Sequence, residues 1–421
     1  MIKKFTAFAP YIVFSFLMFG LVCLDYTAFK DDILFYTLSQ KNTLFDFLVW
    51  RYFSWSSRSV IEALLFVIIP YSASFRVFYI TFFYLLWALS LKYLLKPKTF
   101  LQNVLICFML ASFPFCFIKN TGWVATSTNY LFPLIFGLIS FKSLYMPKPR
   151  ALESFFILLA TFIASGMEQL CTIMIIVFGA FGFCYLLKYR KIMWFYVLQL
   201  ELCLFNIVVF ALCPGNAFRF GRELRSRMSD MAQWCIFTRL YKGLSHTMDF
   251  FFDSPFCLLL IAFNIIIFNL LAYNKKTKNL CFSTLFFSGV TLFLIYFWHD
   301  NMHIHFIIDN KLGWYYLLFA SLLCCLLISL LLLYKNTTFF YVNVLFVFVG
   351  LLSSVILGLS PTLYASSLRI FFYFLFILSV LPILAFFNNY NNVSKDKFLF
   401  ILFFFLSFYT YYLVQNIQFQ H

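Results

Sequence analysis

The sequence predicts an all-α, polytopic transmembrane helical bundle, and three observations predict it. Of 421 residues, 64% are hydrophobic and only 11% are charged. Mean hydropathy is +0.92. Apolar runs of about 20 residues, the length that crosses a bilayer as a helix, recur along the whole chain. Phenylalanine alone contributes 65 residues, more than a soluble core of this length could bury, whereas lipid-facing helix surface absorbs them.

Taken in order, the first element is Met1-Ile2-Lys3-Lys4 followed by an apolar run from Phe5 to Leu24. No small-x-small cleavage site follows the run, so it is read as a retained signal anchor. Hydropathy and flanking charge place about thirteen spans, at 5–24, 76–95, 101–118, 130–146, 151–167, 169–187, 192–212, 254–273, 280–298, 312–334, 338–359, 367–387 and 397–415. Val60 to Pro70 is apolar but too short to span, carries Glu62 and ends in proline. It is expected to be an interfacial helix in the first outer loop.

Charge supports that assignment. With 60–70 outside the bilayer, the inner loops carry Lys3-Lys4, Lys96 and Lys98, Lys148 and Arg150, Lys188 to Lys191, Lys275 to Lys278, Lys335, and Lys395 to Lys397. Making it a span would scatter these clusters over both faces, against the positive-inside rule. The expected address is therefore a bacterial cytoplasmic membrane, with the N-terminus cytoplasmic. The abundance of Phe, Lys and Asn is what an AT-rich bacterial gene produces.

The same topology sorts the other charges. Among the 15 Asp+Glu, only Glu153 and Asp396 fall inside and Glu201 within a span. The rest fall outside, with Arg51, Arg58, Arg76, Arg219, Arg222, Arg225, Arg227, Arg239 and Arg369. The positive-inside rule gives no reason for outer arginine, but a planar guanidinium fork that grips phosphate does. An outer face that handles an anionic, phosphate-bearing substrate with carboxylates for chemistry is the resulting expectation. The plainer alternative is that these arginines pair with the outer acids or with headgroups.

The net charge of +16 calls for no nucleic-acid partner, because the inner loops and anionic lipid or substrate account for it. No Walker loop and no GxGxxG occurs, and no soluble domain is large enough for a nucleotide. Three outer loops stand out. The first is 25–75. The second is 213–253, opening Cys213-Pro-Gly-Asn-Ala-Phe-Arg219-Phe-Gly-Arg222. The third is 299–311.

Five short motifs occur in a particular order. They are Asp31-Asp32, Trp55-Ser-Ser-Arg58, Trp123 to Ser127-Thr-Asn129-Tyr130, Glu168, and Pro214-Gly-Asn216-Ala-Phe-Arg219. In this order, after one helix and before a many-span bundle, they resemble the GT-C superfamily of integral-membrane glycosyltransferases, and a poorly characterised bacterial branch of it. The likeness covers about residues 1–220, leaving 221–421 as a variable C-terminal transmembrane part of a single membrane domain. It implies a polyprenyl-phosphate-linked sugar donor, a glycan or glycolipid acceptor, inversion at the sugar, and a first-loop acid as base. Gly166-Met-Glu168 departs from the more polar acidic corner expected there.

The residues fit that chemistry. A carboxylate takes the acceptor's proton as the anomeric bond breaks, and cations stabilise the departing lipid phosphate. Asp31 or Asp32 is the base; adjacent residues point in different directions, so one of the two faces the acceptor. The competing reading has Asp31 capping a helix from Ile33, with Asp32 in its first turn. Arg219, Arg222 and Arg58 are the phosphate-binding candidates. Pro214-Gly215-Asn216 reads as a turn offering backbone N–H groups to the same anion. Trp55, Trp123, Asn129, Tyr130, Glu168 and Asn216 are the sugar-contact candidates, against an aromatic belt for the rings. A divalent cation (Mg²⁺ or Mn²⁺) could assist the leaving phosphate. His299, Asp300, His303 and His305 have metal-like spacing, but a solvated outer loop is the plainer reading. Two other classes remain: a polysaccharide polymerase or ligase working on lipid pyrophosphates, and a flippase or transporter, which would show mid-membrane charge or repeated halves.

Overall fold

The computed structural model describes residues 2–26, 30–115, 121–146, 149–302, 313–335, 337–364, 367–390 and 394–418. Among them there are helices and turns and no strand. The chain divides into two compact units, residues 1–229 with 413–421, and residues 230–412.

The first unit holds α1 (Ile2–Asp25), α2 (Lys30–Ser39), α3 (Leu44–Ser54), α4 (Ser59–Ile68), α5 (Ala73–Leu95), α6 (Phe100–Ala111), α7 (Val124–Ser140), α8 (Ala151–Ala164), α9 (Glu168–Tyr189), α10 (Trp194–Leu212) and α11 (Pro214–Arg227). α5 packs on both α1 and α7, α7 on α8, and α9 on α10. Helices α2, α3 and α4 have 10, 11 and 10 residues, too short to span.

The second unit holds α12 (Ile236–Asp253), α13 (Pro255–Ala272), α14 (Lys278–Met302), α15 (Gly313–Tyr334), α16 (Thr338–Val355), α17 (Phe372–Asn389) and most of α18 (Lys395–Gln418). α13 packs on α15 and α17. Its buried polar residues join helices: Asn264 donates to the Leu378 carbonyl at 2.9 Å and Asn269 to the Ser329 hydroxyl at 2.7 Å. Such bonds hold helices together where no hydrophobic effect can.

Among the described residues ten helices are long and apolar enough to cross a membrane, or eleven if α12 and α13, bent by 82°, count as one span. The expected thirteen is corrected at three places: 254–273 counts only as part of the bent α12–α13 pair, and two other runs fall short. The described part of the run 101–118 forms the 12-residue α6, which Ser112 and Pro114 end, and 116–118 lie outside the described residues. The run 151–167 yields the 14-residue α8, which stops before Ser165-Gly166. Asn103 receives the Tyr11 hydroxyl at 2.8 Å, and Thr121 bonds to Leu21 and Asp25 at the far end of α1. Fourteen helical residues separate Tyr11 from Asp25, about 21 Å. Glu153 receives the Tyr93 hydroxyl at one end, and Glu168 pairs with Arg58 at the other.

A second correction concerns 213–253, expected as a loop. Pro214 occupies the first turn of α11, where its missing N–H costs nothing, and a helix runs to Arg227. α12 follows as a second helix. α11 also runs through residue 220, and the two compact units part after Ser229.

Candidate functional site

The site grows from α7, whose first N–H groups have no partner within the helix. Two carboxylates from the 25–32 segment supply partners around its start. Asp25 accepts from the Thr121 N–H at 2.6 Å and from its hydroxyl at 2.9 Å. Asp32 accepts from the Ala125 N–H at 2.9 Å through Oδ1. Asp31 and Asp32 both lie in the first turn of α2, so neither caps a helix from Ile33. Asp32 instead caps a helix 93 residues away.

The pair is thereby distinguished. Asp31 is exposed, while Asp32 is 1% exposed. Burial pushes the Asp32 carboxyl up to about 6; the Ala125 N–H and the Arg76 charge oppose the rise, and the Asp31 charge adds to it. Its Oδ2 is buried with no hydrogen-bond partner among the described residues. The same holds for the Tyr26 hydroxyl and for Arg76 Nε, whose guanidinium lies 5.5 Å over the Tyr26 ring. Tyr26 and Arg76 both interact electrostatically with Asp32. Neither Tyr26 nor Arg76 was singled out in the sequence as a site residue, because the contact between 26, 32 and 76 is tertiary.

The second half of the site is arginine-rich. Arg51, on α3, makes a two-pronged ion pair with Glu62 on α4, at 2.6 and 2.8 Å. Both are buried, and Phe35, Trp50 and Trp55 ring the guanidinium at 5.5–5.9 Å. Breaking a buried pair strands a charge, at about 3–5 kcal/mol, whereas replacing both partners by apolar residues is close to neutral. Glu62→Gln is therefore expected to lower unfolding stability by about that amount, and Arg51→Met with Glu62→Leu to restore most of it. Denaturant unfolding of the detergent-solubilised protein checks this.

Arg58 precedes α4 and pairs with Glu168 at the start of α9, at 2.7 Å. Burial works against the Arg58 charge, but the Glu168 carboxylate more than compensates and raises its pKa. Tyr130 lies close enough to Arg58 to act on it electrostatically. Arg219, from α11, stands beside this finished pair. Burial and then the Arg58 charge pull the Arg219 pKa down, while Glu168 and Glu62 oppose that. Arg219 makes no hydrogen bond or ion pair among the described residues, and Arg222 lies 5.0 Å over the Trp55 ring. Two carboxylates thus pair with Arg51 and Arg58, and Arg219 and Arg222 have no ion pair of their own among the described residues. The plain alternative, that these arginines pair with acids, holds for Arg51, Arg58 and Arg227, the last paired with Glu223.

α11 reaches this place by a close backbone approach. A Cβ on Gly215 would lie 2.4 Å from the Trp55 nitrogen and 2.6 Å from the Tyr52 oxygen. The Cys213 thiol donates to that oxygen, and the Asn216 amide donates to Ser57 Oγ at 2.9 Å and to the Phe210 carbonyl at 3.0 Å. Asn216 therefore fastens α11 to the Trp55–Arg58 segment.

The other candidates lie on α7. Trp123 precedes it and is 4% exposed. Asn129 turns its amide back onto the Ala125 carbonyl at 2.8 Å, bracing its own helix. Tyr130 is five residues beyond Ala125, about 7 Å along the axis, and so links the carboxylate half to the arginine half. The side chains of His299, Asp300, His303 and His305 lie outside the described residues. Among the described residues no three His, Cys, Asp or Glu side chains gather as metal ligands. The two first-loop acids diverge, one exposed and one capping α7, so they do not fit a shared cation.

Comparison with protein-family models, with curated proteins and with solved structures returns no match.

Proposed function

We propose that the protein is a membrane glycosyltransferase that moves a sugar from a polyprenyl-phosphate-linked donor to a cell-envelope polysaccharide or glycolipid acceptor at the outer face. The observation that carries this reading is Arg219, a half-buried cation with no hydrogen bond or ion pair among the described residues, near an Arg58–Glu168 pair that is already neutral. A site with a surplus of guanidinium charge suits a phosphate that gains charge as the anomeric bond breaks.

Asp32 is the base in this reading. Its Oδ1 is fixed by the start of α7, and its Oδ2 is uncommitted. A carboxyl near 6 is ionised at neutral pH yet basic enough to take a hydroxyl proton in the transition state. Strong perturbation by burial is also what working acids and bases show. The acceptor hydroxyl gives its proton to Asp32 as its oxygen attacks the anomeric carbon from the face opposite the phosphate. The lipid phosphate leaves toward Arg219 and Arg222, with Trp55 under the Arg222 guanidinium and Tyr130 beside Arg58.

Native mass spectrometry of the purified chain with a polyprenyl phosphate tests the reading. Wild type is expected to bind it, and Arg219→Ala about tenfold more weakly or worse, as for loss of a charge-assisted hydrogen bond. Equal binding by both would remove Arg219 from the site. Binding by neither would speak against a lipid-phosphate donor.

A further inference from the structure

The opposite end of the first unit carries a different cluster, of lysines. Lys142, near the end of α7, is 3% exposed; its ammonium donates to the Tyr93 carbonyl and lies 4.2 Å over the Tyr93 ring. Lys96, which caps α5 three residues after Tyr93, is close enough for its charge to act against that of Lys142. Lys92, one turn earlier on α5, stacks 3.5 Å over Phe8 and 4.7 Å over Tyr11, and its Nζ is buried with no hydrogen-bond partner among the described residues. The neighbouring carboxylate is Glu153, which receives the Tyr93 hydroxyl at 2.6 Å. The like charges of Lys96 and Lys142 oppose each other, and Lys92 Nζ has no acceptor among the described residues; an anion beside them would answer both.

The backbone adds an independent observation. Lys96 ends α5 in the left-handed region, with φ 49° and ψ 57°. Glycine takes that position without strain, and any other L-residue pays for its Cβ. Among the described residues three non-glycine residues have positive φ: Lys96, Arg190 and Lys335. Each is basic, and each directly follows a span-length helix. Complementing the helix dipole does not demand this geometry, since Lys92 already lies in the last turn of α5. A basic residue after each span also follows from the positive-inside rule; what sets Lys96 apart is the neighbouring Lys142 charge.

We propose that Lys96 and Lys142, backed by Lys92, form a binding site for the phosphate of an anionic phospholipid headgroup. The surroundings favour a lipid over a soluble anion. Phe100, Tyr145 and Leu152, close in sequence to Lys96, Lys142 and Glu153, are 57%, 51% and 71% exposed, an apolar border where acyl chains would lie. This site does not depend on the glycosyltransferase reading, and its test does not use activity.

The full-length chain, depleted of lipid in detergent, would be titrated with phosphatidylglycerol, with phosphatidylcholine of the same chains, and with inorganic phosphate, reading the melting temperature. Phosphatidylglycerol is expected to raise it more than phosphatidylcholine or phosphate does. Lys96→Gly, freed of its strained cap, should melt above wild type without lipid, yet need about fivefold more phosphatidylglycerol for half its effect. Lys142→Gln can still donate to Tyr93 and should also respond weakly, whereas the exposed Lys276→Gln should respond like wild type. Equal effects of the two lipids, an equal effect of phosphate, or an unchanged response in both Lys96→Gly and Lys142→Gln would overturn the proposal.

Discussion

Asp32→Asn is expected to give a protein that is more stable than wild type at neutral pH and nearly inactive. The two effects have separate causes. Asparagine caps helices as well as aspartate does, so its side-chain oxygen keeps the Ala125 N–H bond while the buried charge disappears. The Asp32 carboxyl is raised from 3.8 to about 6 by folding. The folded protein therefore holds that proton more tightly than the unfolded chain, and stability from this group falls as pH rises from about 4 to about 6. Above pH 6 the full penalty remains, of order 3 kcal/mol. Asp32→Asn removes it, so its advantage in melting temperature should be largest at pH 7–8 and shrink toward pH 4. Sugar transfer should fall by about 10²–10⁴, the usual contribution of a positioned base. Asp32→Ala should lose the cap as well, with Thr121 still held by Asp25, and be less stable than the asparagine variant by about 1 kcal/mol. Asp31→Asn, on an exposed side chain, should leave both stability and transfer close to wild type. Gains in stability bought by loss of activity are characteristic of working residues held in strained surroundings.

Gly215→Ala is expected to damage the site without altering any charged side chain. The added methyl would meet backbone atoms of Trp55 and Tyr52, which cannot rotate aside. α11 must then withdraw from α3, carrying Arg219 and Arg222 with it, one and two turns further along. The cost is at the upper end of the range for overpacking, about 1–3 kcal/mol. Gly221→Ala is the matched control, since nothing lies within 4 Å of a Cβ there on the same helix. It should be stabilising by about 0.5–1 kcal/mol, as alanine replaces glycine in a helix interior. Thermal unfolding of the two variants, with polyprenyl phosphate binding measured alongside, separates the local clash from a general effect of added methyl groups. Weak binding by Gly215→Ala with normal binding by Gly221→Ala is the expected pattern.

The helical membrane class was legible because hydropathy integrates over whole spans and survives errors at individual residues. Span lengths were less so: hydropathy averaged through Ser112 and Pro114, which end α6, and through the Ser165-Gly166 corner that ends α8. Pro214-Gly215-Asn216 read as a turn, although proline is equally at home in the first turn of a helix. The sorting of arginines and acids named Arg58, Glu168 and Arg219 one by one. It could not state that Arg58 and Glu168 neutralise each other and leave Arg219 over, because those contacts join residues 110 positions apart. The difference between Asp31 and Asp32 was hidden for the same reason, since the partner that buries Asp32 is the start of α7. The Arg51–Glu62 pair was out of reach too, spanning two short helices whose packing decides it.

The measurement that tests the central claim most directly is a mass-spectrometric comparison of envelope glycans from strains carrying wild-type protein or Asp32→Asn at matched membrane levels. One sugar is expected to be missing from an otherwise intact glycan in the variant strain. Unchanged glycans would contradict it. Collapse of long chains to single repeat units would contradict it as well, and would make the protein a polymerase.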